Sequence, residues 1–145
     1  MEFKKFKAAT VQTSPVFLNV EKTVNKAISF IKEAASNQAK LIAFPEVFIS
    51  GYPYWNWIMT PVQGSKWYEE LYKNSVDISG PEIKKLCLAA KENDMHIVMG
   101  INERGKSYGE IYNTNLIIDN KGIIIGKHRK LVPTWAEKLT WTSGD

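Results

Sequence analysis

The sequence predicts an α/β layered fold, and three observations lead to that prediction. A β-branched segment, a helical pattern and a short apolar segment follow one another within the first 46 residues, in the order of a βαβ unit. Further along, another helical pattern precedes an apolar strand, and two strand-like segments joined by a turn come after it. The 145 residues, 44% hydrophobic and 23% charged, suffice for a packed core. We therefore expect one domain over residues 1–145.

The first three elements follow from apolar spacing and turn residues. Residues 5–13 suit a strand that ends at Ser14-Pro15. Asn19 is expected to cap a helix of about five turns. Its apolar stripe consists of Val20, Val24, Ala27, Ile28, Ile31 and Ala35. Residues 40–44 (KLIAF) then predict a strand buried on both faces, and Glu46 follows directly after it.

The middle of the chain contains an aromatic segment and two further helical patterns. Residues 51–61 (GYPYWNWIMTP) lack a clean period and predict an ordered loop. Residues 65–75 predict a short helix with Trp67 and Leu71 on one stripe. Residues 79–82 (SGPE) match a capping box that begins the next helix. The apolar face of that helix comprises Ile83, Leu86, Cys87 and Ala90.

The last elements are strands. Residues 96–101 (HIVMGI) predict one strand, and residues 111–131 predict two more, joined by the turn DNKG. Alternation along the final strand places Lys130 on the same face as Ile124.

Composition narrows the classes of partner and location. Cys87 is the single cysteine, so an intrachain disulfide is impossible and a reducing compartment is expected. The start lacks an apolar leader, and no apolar run reaches the ~18 residues of a membrane helix, so we expect a cytoplasmic protein without a membrane partner. The basic cluster at 126–130 favours a solvated strand end over nucleic-acid binding. His96 and His128 are isolated, which disfavours a metal site.

Three ionisable residues stand in apolar or aromatic surroundings: Glu46, Lys130 and Glu137. An unpaired buried charge is costly, whereas two carboxylates beside one ammonium compensate each other. A carboxylate can act as a general base, and a fixed ammonium can stabilise developing negative charge. The alternative is an ion-pair network that only holds the fold together.

Two segments around these residues carry a family resemblance. FPEVFISGYPYW (44–55) and KHRKLVPTWAEKLTW (127–141) resemble the two N-terminal signature segments of the nitrilase superfamily, in its nitrilase and cyanide-degrading branch. The resemblance implies the N-terminal half of a nitrilase-type α-β-β-α sandwich. It also implies that Glu46 is the general base, that Lys130 stabilises the tetrahedral intermediate and that Glu137 positions Lys130.

The aromatic residues admit two interpretations. By the same resemblance, Tyr54, Trp135 and Trp141 are expected to line a substrate pocket. Packing in the core or at an oligomer contact explains such rings equally well.

The resemblance also implies a reaction. A cysteine thiolate attacks a nitrile carbon, and the thioimidate is converted through an acyl-enzyme to a carboxylic acid and ammonia, without a metal or organic cofactor. The family's cysteine follows the lysine segment by a few tens of residues, beyond Asp145. Cys87 lies on an apolar helix face and predicts a packed core thiol. We therefore expect a truncated chain that is inactive alone.

The remaining hypothesis is a non-catalytic assembly or binding protein that keeps the nitrilase fold. Half of a sandwich exposes strand edges and apolar surface, both of which invite partners. The expected partner is a second copy, giving a homo-oligomer, or a complementing C-terminal chain.

Overall fold

A computed structural model describes residues 5–145, and five strands in it form one sheet. In chain order the strands are β1 (Lys7–Thr10), β2 (Ala39–Ala43), β3 (His96–Arg104), β4 (Ile111–Ile118) and β5 (Ile124–Arg129). They are neighbours in the same order, with β1, β2 and β3 parallel and β3, β4 and β5 antiparallel. The helices are α1 (Val20–Ser36), α2 (Pro61–Lys73) and α3 (Pro81–Glu92). Two 3₁₀ turns are formed by Tyr54–Trp57 and Trp135–Leu139.

Helix α1 begins where its cap residue predicts. The side chain of Asn19 accepts a hydrogen bond from the amide of Lys22 at 3.0 Å, which satisfies one of the free N–H groups of the first turn. Helices α1 and α3 pack beside each other on one face of the sheet. The main core lies between these helices and β2, β3 and β4, and its largest members include Ile31, Ile42, Leu86, Ile97, Met99 and Leu116.

The starts of α2 and α3 differ from the sequence expectation. Helix α2 begins at Pro61 because Thr60 and Gln63 form a capping box with proline in the first turn. The expected capping box at 79–82 is wrong. Gly80 is the cap residue of α3 and has no side-chain bond, while the Ser79 hydroxyl donates to Asp77 at 2.6 Å. Pro81 occupies the first helical position, as predicted.

The hairpin of β4 and β5 is confirmed, but the predicted orientation of Lys130 is wrong. A bulge shifts the register so that Ile124 pairs with Ile118 while Gly126 pairs with Ile117. Neighbouring residues of β4 face opposite ways, so Gly126 and Ile124 also face opposite ways despite their spacing of two. Ile124 packs against the main core, whereas Lys130 lies on the other face of the sheet.

That other face is only partly covered in residues 5–145, where Ile111 of β4 packs with Leu71 of α2. Val98, Asn115 and His128 line an open concavity there, and Ile117 is partly exposed. Within the same residues, no helix combines the length and the apolar character that crossing a membrane requires. Residues 1–4, part of the segment that the sequence analysis found without a leader, lie outside the described residues.

Candidate active site

Glu46 sits on a tight turn that follows β2. The amide of Phe48 donates to the Pro45 carbonyl at 3.3 Å, and Val47 adopts a φ of 40° in the left-handed region. That conformation is unusual for a β-branched residue and costs about 1–3 kcal/mol, and such strain often marks a functional turn. Gly100 of β3 packs directly against the backbone of this turn. A Cβ at that position would overlap the Pro45 carbonyl oxygen and the Val47 amide. Contact with β3 therefore sets the distance between the Glu46 turn and the sheet.

Lys130 extends the line of β5 by one residue. Its amide donates to the Asn113 carbonyl at 2.8 Å, which continues the pairing of β4 with β5. The preceding side chain, Arg129, points to the opposite face and makes two hydrogen bonds to Glu103, at 2.6 and 3.0 Å. The buried Arg129–Glu103 pair thus anchors the strand end from which Lys130 projects.

Glu137 is presented by the second 3₁₀ turn. Its carboxylate accepts a hydrogen bond from the Thr134 amide at 2.6 Å, within a capping box. The Tyr52 hydroxyl donates to the same carboxylate at 2.9 Å and itself accepts from the Trp57 indole at 3.1 Å. The turn's own backbone and the distant Tyr52 therefore both hold this carboxylate in place.

The three ionisable residues meet at the Lys130 ammonium. Its Nζ lies 3.1 Å from Glu46 Oε1 and 2.8 Å from Glu137 Oε2. The Asn113 amide also donates to Glu46 Oε1, at 2.7 Å. Both donors use Oε1, and Glu46 Oε2 receives no hydrogen bond within residues 5–145. One carboxylate oxygen is fixed while the other stays available for a proton.

The side chains of Glu46 and Glu137 differ in their exposure to solvent. The Glu137 side chain is 6% exposed, whereas the Glu46 side chain is 50% exposed, so the sequence expectation that Glu46 lacks solvation is wrong. Burial acts to raise the pKa of Glu137, but the donors Lys130, Thr134 and Tyr52 outweigh it and lower that pKa. Burial acts to lower the pKa of Lys130, and the bonds to Glu137 and Glu46 outweigh it and raise that pKa. Lys130 is therefore a fixed cation at neutral pH.

Glu46 lies between two concavities of different character. A polar cleft of about 350 Å³ is lined by Phe44, Glu46, Val98, Asn113, Asn115, His128 and Lys130. An aromatic cavity of about 500 Å³ is lined by residues 13–15, Phe17, residues 45–48, Gly51, Tyr52, Tyr54, Trp55, Ile58, Met59 and Trp67. Glu46 is the residue that the two share. A small molecule in the aromatic cavity could therefore reach the carboxylate that Lys130 and Asn113 hold.

The comparison with known families agrees with this geometry. The model of the carbon-nitrogen hydrolase family matches residues 7–145. The chain belongs to the carbon-nitrogen hydrolase family. The family resemblance inferred from the two signature segments is thereby confirmed.

Relatives of this hydrolase chain are longer than the chain itself. It is 45% identical over 143 residues to a nitrilase of Bacillus sp. (strain OxB-1), a match that covers 99% of this chain and 41% of that protein. It is 41% identical over 141 residues to an aliphatic nitrilase of Rhodococcus rhodochrous, with coverages of 97% and 38%. A cyanide hydratase of Microdochium sorghi is 38% identical over 144 residues, with coverages of 99% and 39%. The chain spans about two fifths of the length of these curated relatives.

Solved structures support the fold. An amidase from Nesterenkonia sp. superposes with a TM-score of 0.69 at 16% identity, covering 95% of this chain and 48% of that chain. A carbon-nitrogen hydrolase from Helicobacter pylori G27 superposes with a TM-score of 0.64 at 18% identity, with coverages of 94% and 44%. These matches confirm the predicted nitrilase-type α/β fold class, over about half of each solved chain.

The aromatic residues expected at a pocket occupy three different environments. Tyr54 is 65% exposed and lines the aromatic cavity. Trp135 is 82% exposed and lines neither concavity. Trp141 is buried, donates its indole N–H to Asn102 at 2.8 Å, and has its ring centroid 5.8 Å from the Lys130 ammonium. Contact of any of them with a substrate stays a prediction.

Two polar contacts of the site were not identified from the sequence. Asn113 and Tyr52 hold the two carboxylates, and their partners lie 67 and 85 residues away along the chain. Asn113 faces the same side of β4 as Asn115, so strand alternation next to the lysine segment is the signal that could have suggested it. No local pattern marks Tyr52 apart from the other rings of its segment.

Cys87 lies away from the glutamates and the lysine. It packs against the main core on α3, and burial raises the pKa of its thiol, which disfavours the thiolate. This placement agrees with the prediction of a core cysteine. Across residues 5–145, no cluster of three or more histidine, cysteine or acidic side chains is arranged to hold a metal ion.

Proposed function

We propose that this chain supplies the glutamate, lysine and second glutamate of a hydrolase that converts a nitrile to a carboxylic acid and ammonia. The observation that carries the proposal is the Lys130 ammonium between Glu46 and Glu137, with the Glu46 side chain half exposed. The names of the relatives, nitrilase and cyanide hydratase, point to the same class of carbon–nitrogen bond.

Each residue has a role in the proposed reaction. A cysteine thiolate adds to the nitrile carbon to form a thioimidate, and water then displaces ammonia to leave a thioester. A second water releases the carboxylic acid and returns the thiol. Glu46 takes and returns the protons, Lys130 stabilises the developing negative charge, and Glu137 positions Lys130. No metal or organic cofactor enters this scheme.

The nucleophile in this scheme is not Cys87. That thiol lines neither the polar cleft nor the aromatic cavity, and its raised pKa disfavours the attacking form. The proposed reaction therefore needs a cysteine other than Cys87. By itself the chain is then expected to bind a nitrile and not to turn it over.

The deciding experiment is ammonia release from nitriles, amides and cyanide. The purified chain is assayed alone and after addition of a polypeptide that carries the rest of a related hydrolase with its cysteine. We expect turnover only in the mixture, reduced at least about a hundredfold by Glu46→Gln, since positioned proton transfer contributes 10²–10⁴-fold. Glu70→Gln serves as the control because Glu70 pairs with Lys73 on the surface.

Two results would contradict the proposal. Ammonia release by the chain alone that disappears in Cys87→Ser would make Cys87 the nucleophile. Failure of every combination to release ammonia from any nitrile would favour the non-catalytic assembly or binding protein.

Assembly is the second part of the proposal. The two 3₁₀ turns contact each other, and together with the start of α2 they expose an apolar patch. Its members are Tyr54, Trp57, Ile58, Val62, Trp135 and Leu139. We expect this patch to bind a second copy or the complementing polypeptide.

Sedimentation velocity tests this expectation. Val62→Lys should weaken the association, whereas Leu88→Lys, on the outer side of α3, should leave it unchanged. A monomer at high concentration, with and without the polypeptide, would contradict it.

A further inference from the structure

The aromatic cavity has the size of a pocket for an organic molecule. Its volume of about 500 Å³ falls within the 300–1,000 Å³ typical of ligand sites, and Glu46 forms part of its wall. Hydrogen cyanide has two heavy atoms and would leave most of this volume unfilled. Since the relatives include both nitrilases and cyanide hydratases, the size of the cavity distinguishes between their substrates.

The lining of the cavity is apolar apart from Glu46 and a few hydroxyl groups. Phe17, Trp55 and Trp67 contribute rings, and Ile58 and Met59 contribute aliphatic surface. The Tyr52 hydroxyl is already bonded to Glu137 and Trp57. Rings of this kind favour an aromatic or other apolar ligand by stacking and edge contacts.

The charges near the cavity disfavour an anionic ligand. Glu46 is the one charged residue that lines it among residues 5–145. The Lys26 ammonium is bonded to the Thr13 hydroxyl at 3.1 Å and to the Ser14 carbonyl at 2.7 Å, and it does not line the cavity. Lys130 pairs with Glu46 from the polar cleft and does not line the cavity, so a ligand carboxylate would meet Glu46 without a cation in the cavity wall.

Two glycines allow the aromatic walls to pack closely against the backbone. Gly51 has a φ of 109°, and a Cβ there would lie 2.8 Å from the Phe17 ring. A Cβ on Gly64 of α2 would lie 2.9 Å from the Trp55 ring. Phe17 and Trp55 meet edge to face with centroids 6.3 Å apart. Both rings are thus packed against the backbone and against each other, and walls packed in this way reduce the ordering cost of binding.

We propose that the aromatic cavity binds the uncharged, ring-containing substituent of an organic nitrile and thereby selects aromatic nitriles over cyanide and small aliphatic nitriles. The selection of substrates rests on the proposed function, whereas binding in the cavity does not. The ring occupies the space between Phe17, Trp55 and Trp67, and the cyano group is directed toward Glu46.

Binding to the isolated chain tests the proposal without catalysis. The indole N–H resonances of Trp55 and Trp67 are followed by NMR during titration with benzonitrile, acetonitrile, 4-cyanobenzoate and cyanide. We expect saturable shifts with benzonitrile and at least tenfold weaker binding of the other three. Met59→Glu, which places a second carboxylate in the cavity, should weaken benzonitrile binding at least tenfold, and Phe17→Ala should also weaken it. Leu88→Glu, an exposed position on α3, is the control.

The outcomes separate this inference from the proposed function. Absence of saturable shifts with benzonitrile, or equal affinity in Met59→Glu and Leu88→Glu, would overturn the inference. Ammonia release from cyanide or acetonitrile but not from benzonitrile would also overturn it while leaving the proposed function intact. Benzonitrile binding to the chain, with no ammonia release from any nitrile even after the cysteine-containing polypeptide is added, would contradict the proposed function and support the assignment of the cavity.

Discussion

The Lys130 ammonium is held between two carboxylates that differ in their access to water. Glu137 is nearly buried and is fixed by Tyr52 and Thr134, while Glu46 is half exposed and keeps one oxygen without a bond from residues 5–145. A buried carboxylate with several donors orients a cation well, and an accessible carboxylate can exchange protons. The arrangement suits a division of labour in which Glu137 positions and Glu46 reacts.

Replacing Glu137 tests this division through the pKa of Lys130. Hydrogen bonds to Glu137 and Glu46 raise that pKa against the effect of burial, so Glu137→Gln should lower it. The titration of the Lys130 side chain is measured by NMR. Glu70→Gln, which removes a surface partner of Lys73, should leave it unchanged. An unaltered pKa of Lys130 in Glu137→Gln would mean that Glu46 alone sets the charge of the lysine.

The sequence indicated the charged residues of the site but not their polar neighbours. Glu46, Lys130 and Glu137 stand out because each is ionisable in a segment of apolar or aromatic residues. Asn113 and Tyr52 belong to residue types common on any surface, and only the fold brings them to the carboxylates. Their contribution depends on long-range packing, which a local pattern does not record.

Helices and strands with a regular spacing of apolar residues were predicted from the sequence. Features that depend on a helix cap or a β-bulge were not. Helix α1, strand β3 and the hairpin of β4 and β5 follow the apolar spacing of the sequence. The start of α2 was missed because the aromatic segment 51–61, which ends in the Thr60 cap and Pro61, was interpreted as a loop. The orientation of Lys130 was wrong because a bulge depends on the pairing of two strands and leaves the spacing within either one unchanged.

Contact between β3 and the Glu46 turn gives a prediction at the scale of elements. Gly100→Ala places a Cβ against the Pro45 carbonyl oxygen and the Val47 amide, so the turn must move. We expect a loss of about 2–3 kcal/mol in the free energy of unfolding, typical of overpacking against backbone. Displacement of Glu46 should also lower the pKa of Lys130, which loses one partner.

Urea unfolding and the Lys130 titration measure the two effects. Gly126→Ala is the matched control, since a Cβ there would meet only the Ile117 side chain, at 3.2 Å. That change should stay within about 0.5 kcal/mol. Equal stability of the two variants would show that the turn adapts and is not held by β3.

At the scale of the molecule, the end of β5 lies between ion clusters on the two faces of the sheet. On one face, Glu103 is nearly buried and accepts bonds from Arg129, Lys127 and Thr114 at 2.6 to 3.1 Å. On the other face lies the cluster around Lys130, the next residue after Arg129. The first cluster joins β3, β4 and β5, so the stability of the sheet and the position of Lys130 depend on the same strand end.

The carboxylates of the two clusters predict how the stability of the protein falls at acid pH. Burial acts to raise the pKa of Glu103, but Arg129, Thr114 and Lys127 outweigh it, so that pKa lies below its ordinary value of 4.5. The pKa of Glu137 is lowered from the same value. A carboxyl with a lowered folded pKa contributes its full stability above the unfolded value and loses it as the pH falls through the folded value. The urea midpoint should therefore be nearly constant at neutral pH and decrease steeply below about pH 4.5.

Glu103→Gln separates the two clusters in this measurement. Removing one partner of a buried ion pair typically costs 3–5 kcal/mol, and because Arg129 retains Asp145 at 2.9 Å we expect about 3 kcal/mol at pH 7. The variant should also show a shallower decrease below pH 4.5, because one of the groups that drives it is gone. Glu70→Gln, whose ion pair is exposed, should keep both the midpoint and the steep limb. A variant with wild-type steepness would show that Glu103 does not drive the acid limb.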